Sequence, residues 1–303
     1  MTLSTIFMGT PEIAVPALRV LNRLTSVRCV VTQPDRPAGR GNKLNPPAVK
    51  LAALEMGLPV WQPETLKGHA DDPRFADLDL IVVMAYGELL RRDLLAKPRR
   101  DCINLHASLL PRWRGASPLQ AVLRAGDERT GVTVMRMVPA LDAGPMFLAE
   151  ELPITPRMTL PELHDALALT AATALERFFA EALDREPVPQ DDAHALHCRK
   201  LMGDDGHLDF TRSALELDRW VRAYTPAPGC WAAVGEERLR IHALMPRLDV
   251  RDLAPGYLRV VGNDLLVGCG DHACAIERLQ APGKRAMTAS EYLNGHQPPE
   301  RLS

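Results

Sequence analysis

Several familiar signatures are missing from this chain, and each absence narrows what it can be. No run of about eighteen apolar residues occurs, so no segment reads as a membrane-spanning helix. No basic stretch followed by an apolar core opens the sequence, so no secretory signal is expected and the expected location is cytoplasmic. The six cysteines include no CxxC pair. Cys269 and Cys274 flank Gly270-Asp271-His272 without a second ligand pair, which reads as a hairpin turn, and no metal is expected. Cys29 and Cys102 sit in apolar, strand-like runs where a buried free thiol is usual, so a reducing compartment fits. GxGxxG is absent, which argues against a dinucleotide cofactor, and no GxSxG elbow offers a serine nucleophile. Aromatic residues are only 5% of the chain, so its cores must be aliphatic. The formal net charge of -2 gives no global attraction to nucleic acid and leaves only local patches for that purpose.

At 303 residues the chain exceeds one typical core, so two domains are expected. Apolar strand-like runs at Thr5–Met8, Val27–Thr32 and Leu80–Ala85 alternate with helical patterns, which predicts a doubly wound, mostly parallel α/β sheet over residues 1–184. Leu80–Ala85 suits a central strand buried on both faces. Thr10 is placed to cap the first helix with Pro11 at its first position, or the regular helix begins instead at Pro16. Residues 185–203 are polar, contain two prolines and lack an apolar period, so they read as a linker. Short strands punctuated by Gly-Glu, Gly-Asn and Gly-Asp turns then predict a small antiparallel β-barrel over 204–303. Asp and Glu slightly outnumber Lys and Arg there, so charge alone does not mark that domain as an RNA binder.

Chemistry concentrates in Asn104–Pro118, NLHASLLPRWRGASP. The preceding strand pattern should end at His106, and ligands of open α/β sheets collect beyond the carboxyl ends of strands. Asn104 and His106 are two apart and point to the same side of a strand. Asp142 lies in a Gly/Pro-rich loop just past another strand-like run, where a turn-forming Asp is the ordinary reading. No serine elbow is present and no cysteine adjoins His106, so covalent acyl transfer lacks a nucleophile. The set suits direct attack of an amine on a carbonyl carbon. The Asn104 amide or an imidazolium at His106 can stabilise the oxyanion. Alternatively His106 relays a proton, and Asp142 either orients the ring or receives the amine proton; the residues leave these roles open. The loop Gln33–Pro47 carries Arg36, Arg40 and Lys43 among four prolines. It reads either as a phosphate contact or as a stiff, solvated surface loop.

These stretches, together with GTPE, AYG (Ala85–Gly87), QPDRPAGRG (Gln33–Gly41), LDAGPM (Leu141–Met146), LDF (Leu208–Phe210), RAYTPAPG (Arg222–Gly229) and LQAPGKRAM (Leu279–Met287), resemble the folate-dependent formyltransferases. Nearly the whole chain is covered, and the QPDRPAGRG loop and second domain are closest to members that act on transfer RNA. The resemblance implies a Rossmann-like formyltransferase domain followed by an oligonucleotide-binding-like barrel. It also implies a co-substrate, 10-formyltetrahydrofolate, and an acceptor, methionyl initiator tRNA. Asn104, His106 and Asp142 match the family's catalytic trio. Ser108, Leu109, Leu110 and Pro111 match its folate contact. Ala85, Tyr86, Gly87, Glu88 and Leu141 match its pterin pocket, through backbone groups. Arg36, Arg40 and Lys43 fall in the loop that meets the acceptor end of the RNA. Ile13 stands where an aromatic is common in the family, and Ala107 where glycine is common. Formyl transfer to a nucleotide sugar or purine precursor, and non-catalytic folate or RNA binding on the same scaffold, are the competing expectations. No coiled coil or broad apolar stripe suggests self-association, so a monomer is expected.

Overall fold

Ser4–Gly9 forms β1 at the heart of the computed structural model, which describes residues 2–38 and 43–303. It pairs in parallel with β2 (Ser26–Val31) on one side. Val60–Trp61 (β3) extends that side, and Leu80–Met84 (β4) and Asp101–His106 (β5) build the other, all in parallel. Arg129–Arg136 (β6) and Met146–Pro153 (β7) complete a seven-stranded sheet in the order β7-β6-β5-β4-β1-β2-β3, and both run antiparallel to their neighbours. Every residue of β4 is buried, as its unbroken apolar run requires of a strand covered on both faces. From β1 the chain winds first to one side and later to the other. The topological switch point therefore lies between β1 and β4, where Gly9 and Met84 end side by side.

Helix α1 (Val15–Leu24) buries Ala17, Leu18, Val20 and Leu21. It begins at the later of the two expected starts, because a 3-10 turn at Glu12–Ala14 takes up the approach and places Pro16 in the first helical turn, where its missing N–H costs nothing. Thr10 does not cap it. Its hydroxyl donates instead to the Tyr86 carbonyl (2.9 Å), tying together the turns that leave β1 and β4. Among the described residues no helix is long and apolar enough to cross a membrane.

The chain divides into two units, Met1–Pro118 with Arg129–Ile154 and Leu163–Cys198, and Leu119–Glu128 with Thr155–Glu162 and Arg199–Ser303. The second unit contains α2 (Ala214–Tyr224) and an antiparallel sheet. Five of its six strands are β8 (Cys230–Val234), β9 (Glu237–Arg247), β10 (Leu258–Val261), β11 (Asp264–Gly268) and β12 (Ala273–Gln280), in the order β8-β9-β12-β11-β10, and the short Met287–Thr288 pairs with β12. Residues 269–272 form the turn between β11 and β12, closed by a 2.7 Å bond from the Cys269 N–H to the His272 carbonyl, and Cys274 lies in β12. Two pieces from earlier in the sequence join this unit through specific polar anchors. Buried Asp218 takes the Arg157 guanidinium at 2.8 Å, and Arg124 stacks over Trp220 while donating to the Tyr224 hydroxyl at 3.0 Å. A desolvated carboxylate needs such a partner, which explains why the boundary is not a single cut in the sequence.

The stretch expected as a linker is corrected in its first part. Residues up to Cys198 belong to the first unit, where His197–Cys198 pairs in parallel with Arg114–Gly115. Val188 also exchanges two 2.8 Å backbone bonds with Met146. Backbone pairing holds this stretch, and an apolar period cannot report that.

Candidate active site

β5 carries two of the candidate residues because its neighbours fix its register. Asn104 lies opposite Met135, and His106 lies opposite Thr133, on β6. The His106 side chain is only 6% exposed. Its Nε2 lies 3.0 Å from the carbonyl oxygen of Trp113. A carbonyl can only accept, so Nε2 carries the proton. Nδ1 then points at Asp142, whose Oδ1 is 3.6 Å away. That gap is too long for a direct hydrogen bond and short enough for strong electrostatics. In the neutral ring a lone pair on Nδ1 faces a carboxylate. The pair is therefore built to take a proton at Nδ1, or to admit a proton-bearing group between the two atoms. Among the described residues the Asn104 carboxamide has no side-chain hydrogen bond, so its N–H groups are available.

Asp142 is held from two directions. Its Oδ2 accepts the Gly115 N–H at 2.9 Å, which leaves Oδ1 for His106. Its own carbonyl accepts from Gln190 Nε2 at 2.9 Å, and the same nitrogen donates to the Gly144 carbonyl at 2.7 Å. Gly144 is packed so closely that a Cβ there would stand 1.8 Å from the Arg136 carbonyl, so the loop needs glycine. Asp142, Ala85 and Trp113 all have left-handed backbone, at φ +51°, +50° and +66°. Three strained residues at the ends of different elements mark the region as one whose shape is enforced by its surroundings.

Ala85 and Gly87 are exposed and Gly87 has φ +97°, so both can present backbone groups to a ligand. The neighbouring side chains are otherwise engaged. The Tyr86 ring is buried in the core below the sheet, where desolvation drives its hydroxyl well above the ordinary tyrosine range. Glu88 accepts from Thr65 Oγ1 at 2.6 Å and from the Leu66 N–H at 3.1 Å. Ser108 is fully buried and donates to the Arg112 carbonyl (2.6 Å), and the Leu110 N–H goes to Thr133 Oγ1 (3.1 Å). Ser108 and Leu110 thus shape the turn, while half-buried Leu109 and Pro111 and exposed Leu141 keep accessible surface. In the basic loop, Arg36–Ala38 and Lys43–Asn45 pair as a short antiparallel ribbon. Arg36 meets Glu64 at 3.1 Å on the surface. Asp35 anchors the base of the loop: the Gln62 amide and then the Lys50 ammonium hold its carboxyl below the usual range. Arg40 lies outside the described residues, as does the side chain of Lys43. Trp113, Gly115 and Gln190 are the site's positioning groups that sequence reading missed; two act through the backbone, which no side-chain pattern reveals.

Two family models match the chain, "Formyl transferase" over residues 7–178 and "Formyl transferase, C-terminal domain" over residues 200–297. Proteins named methionyl-tRNA formyltransferase are similar along the full length. That of Methylobacillus flagellatus is 44% identical over 96% of this chain and 96% of its own. That of Granulibacter bethesdensis is 45% identical over 97% and 94%. Among solved structures, the sugar 3N-formyl transferase WlaRD, determined with dTDP and 5-N-formyl-THF, matches with TM-score 0.70 at 14% identity, covering 94% of this chain and 100% of that one. HypX from Aquifex aeolicus in complex with tetrahydrofolic acid gives TM-score 0.63 at 14% identity, covering 100% of this chain and 51% of that one. With the two family models matched one after the other along the sequence, and relatives 44% and 45% identical over nearly its full length, this chain belongs to the formyl transferase family.

Proposed function

We propose that this protein transfers the formyl group of 10-formyltetrahydrofolate to the amino group of methionyl initiator tRNA, in the cytoplasm and as a monomer. The observation that carries the reading is the His106–Asp142 pair, 3.6 Å apart beside the free Asn104 amide, in a chain whose full-length relatives bear that activity in their names. The amine attacks the formyl carbon. Asn104 N–H groups meet the oxyanion that forms, joined by the His106 ring once Nδ1 carries a proton, a role such donors fill best in a site closed to water. The proton lost by the amine passes to the gap between Nδ1 and Oδ1. Collapse of the intermediate breaks the bond to the folate nitrogen, which takes up a proton as tetrahydrofolate leaves. The pterin lies against backbone groups of Ala85–Glu88 and the Leu141–Asp142 turn, with Leu109 and Pro111 at its side. Arg36, Arg40 and Lys43 meet the acceptor end of the RNA through its phosphates, which position without reading bases.

The test is incubation with labelled formyl donor and three acceptors. Label should enter methionyl-tRNA. Label in an amino sugar nucleotide or purine precursor instead, or in none of the three, would overturn the proposal. Arg40→Ala should raise KM for the charged RNA and leave donor binding unchanged; equal effects on both would remove the loop from RNA recognition.

A further inference from the structure

Gln190 lies in a stretch that sequence patterning reads as connecting chain, yet its side chain is fully committed. We infer that Gln190, aimed by Arg114, is a positioning residue that sets Asp142 for proton handling; this rests on the formyl-transfer reading above. The amide has one acceptor and two donor hydrogens, and its surroundings leave one arrangement. Oε1 accepts from Arg114 Nε at 2.9 Å, so Nε2 must face the other way, toward the carbonyls of Asp142 (2.9 Å) and Gly144 (2.7 Å). A flipped amide would set its oxygen against two carbonyls and an N–H against a guanidinium. Arg114 enforces the direction. It is buried, and its remaining edge is fixed by Asp192 at 2.7 Å. The backbone delivers Gln190 to this spot, because Val188, two residues earlier, is locked to Met146 by a pair of 2.8 Å bonds.

The consequence falls on Asp142. Its left-handed backbone is one that a non-glycine residue keeps only when neighbours impose it. The Gly115 N–H fixes one carboxylate oxygen, but it does not fix the peptide plane that follows Asp142. Gln190 does, by clamping the Asp142 and Gly144 carbonyls with a single nitrogen. Without that clamp the loop can relax its φ, and Oδ1 swings away from His106 Nδ1. Gln190 touches neither reacting group, so its effect should appear in turnover and should require the Asp142 carboxylate.

The experiment is a double-mutant cycle on the full chain, read by steady-state formylation of methionyl-tRNA and by thermal melting. Gln190→Leu keeps the volume of this half-buried side chain and removes all three hydrogen bonds. We expect kcat to fall about 10- to 100-fold, the scale on which small misplacements of reacting groups act. KM for each substrate should stay within about 3-fold. In an Asp142→Asn background the same change should cost less than about 3-fold more, because both substitutions remove one function. Gln190→Asn, one methylene too short to reach both carbonyls, should fall between the parent and Gln190→Leu. An unchanged kcat would overturn the inference. So would a loss that multiplies in full with Asp142→Asn, or one that follows melting temperature across the variants. If the parent formylates no methionyl-tRNA, the function fails first; if it does and Gln190→Leu matches it, only the role of Gln190 fails.

Discussion

Asp142→Asn is the sharpest perturbation of the site, because it removes a charge and almost nothing else. Asparagine has the same shape and also tolerates left-handed backbone. Its amide oxygen can still accept the Gly115 N–H, and its backbone still meets Gln190. What changes is the group opposite His106 Nδ1, from a carboxylate oxygen 3.6 Å away to a neutral amide. An imidazolium and a carboxylate at that separation attract by about 4–5 kcal/mol at an effective dielectric constant of ~20. If the proton lost by the amine comes to rest in that gap, the transition state loses a stabilisation of this order. Each ~1.4 kcal/mol is tenfold in rate, so kcat should fall about 10³-fold. The assay is single-turnover transfer of labelled formyl to methionyl-tRNA, with thermal melting as the control for folding. Melting should move by no more than a few degrees, since the backbone anchors persist. A variant that keeps turnover within about 3-fold of the parent would refute the reasoning. The His106–Asp142 contact would then be structural, and the proton would leave by another route.

Three further outcomes follow from the same geometry. His106→Ala should lower kcat by about 10²- to 10⁴-fold, the range of general acid–base contributions, in a protein that still melts cooperatively; turnover near the parent's would remove His106 from the mechanism. Gly144→Ala must push its Cβ off the Arg136 carbonyl, 1.8 Å away, which should cost about 1–3 kcal/mol in denaturant unfolding and lower kcat as well; stability equal to the parent's would show that the loop is not held as described. Burial pushes the Cys102 thiol up, and it pushes the Cys230 thiol up to about 12. Unfolded thiols ionise near pH ~8.5, so the unfolded chain sheds protons that the folded one keeps. The stability tied to these thiols is complete below that pH and is lost as pH climbs from there toward the folded values. Melting temperature should therefore drop between pH 8 and pH 10, and the drop should shrink in a Cys102→Ala/Cys230→Ala variant; an unchanged drop would acquit these thiols.

Much of the first unit could be read from apolar runs. β1 and β4 are short, mostly apolar and bounded by turn residues, and β5 ends at His106 as the pattern required. Strand direction could not be read that way. β6 is buried along most of its length like the parallel strands, yet it runs antiparallel to them, because an apolar run reports burial and not direction. Residues 185–198 were misread for a related reason. Gln190 and the His197–Cys198 pairing are secured by hydrogen bonds of polar and backbone groups, and such groups leave no trace in an apolar pattern. The residues expected to contact folate form one stretch, and their roles are not legible in it. Ser108 carries a hydroxyl that suggests a ligand, and burial commits it to its own turn.

The three consecutive residues Trp113, Arg114 and Gly115 explain why the trio forms from segments so far apart in sequence. Trp113 offers its carbonyl to His106 Nε2 and so fixes the tautomer. Arg114 sends its side chain to Gln190 and so fixes the loop that carries Asp142. Gly115 gives its N–H to the Asp142 carboxylate. Each residue uses a different kind of group, a carbonyl, a guanidinium and an amide, and each reaches a different member of the site. One strip can do this only if it is itself rigid, and it is. Trp113 sits in left-handed backbone, and Gly115, at φ +120°, lies so near the Cys198 carbonyl that a Cβ would approach it to 2.1 Å. Pairing with His197–Cys198 locks the strip from outside. The distance from Nδ1 to Oδ1 is therefore set by one element that touches both partners, not by two segments meeting by chance. A site made this way resists small independent shifts of its histidine or its aspartate, as preorganised proton transfer requires.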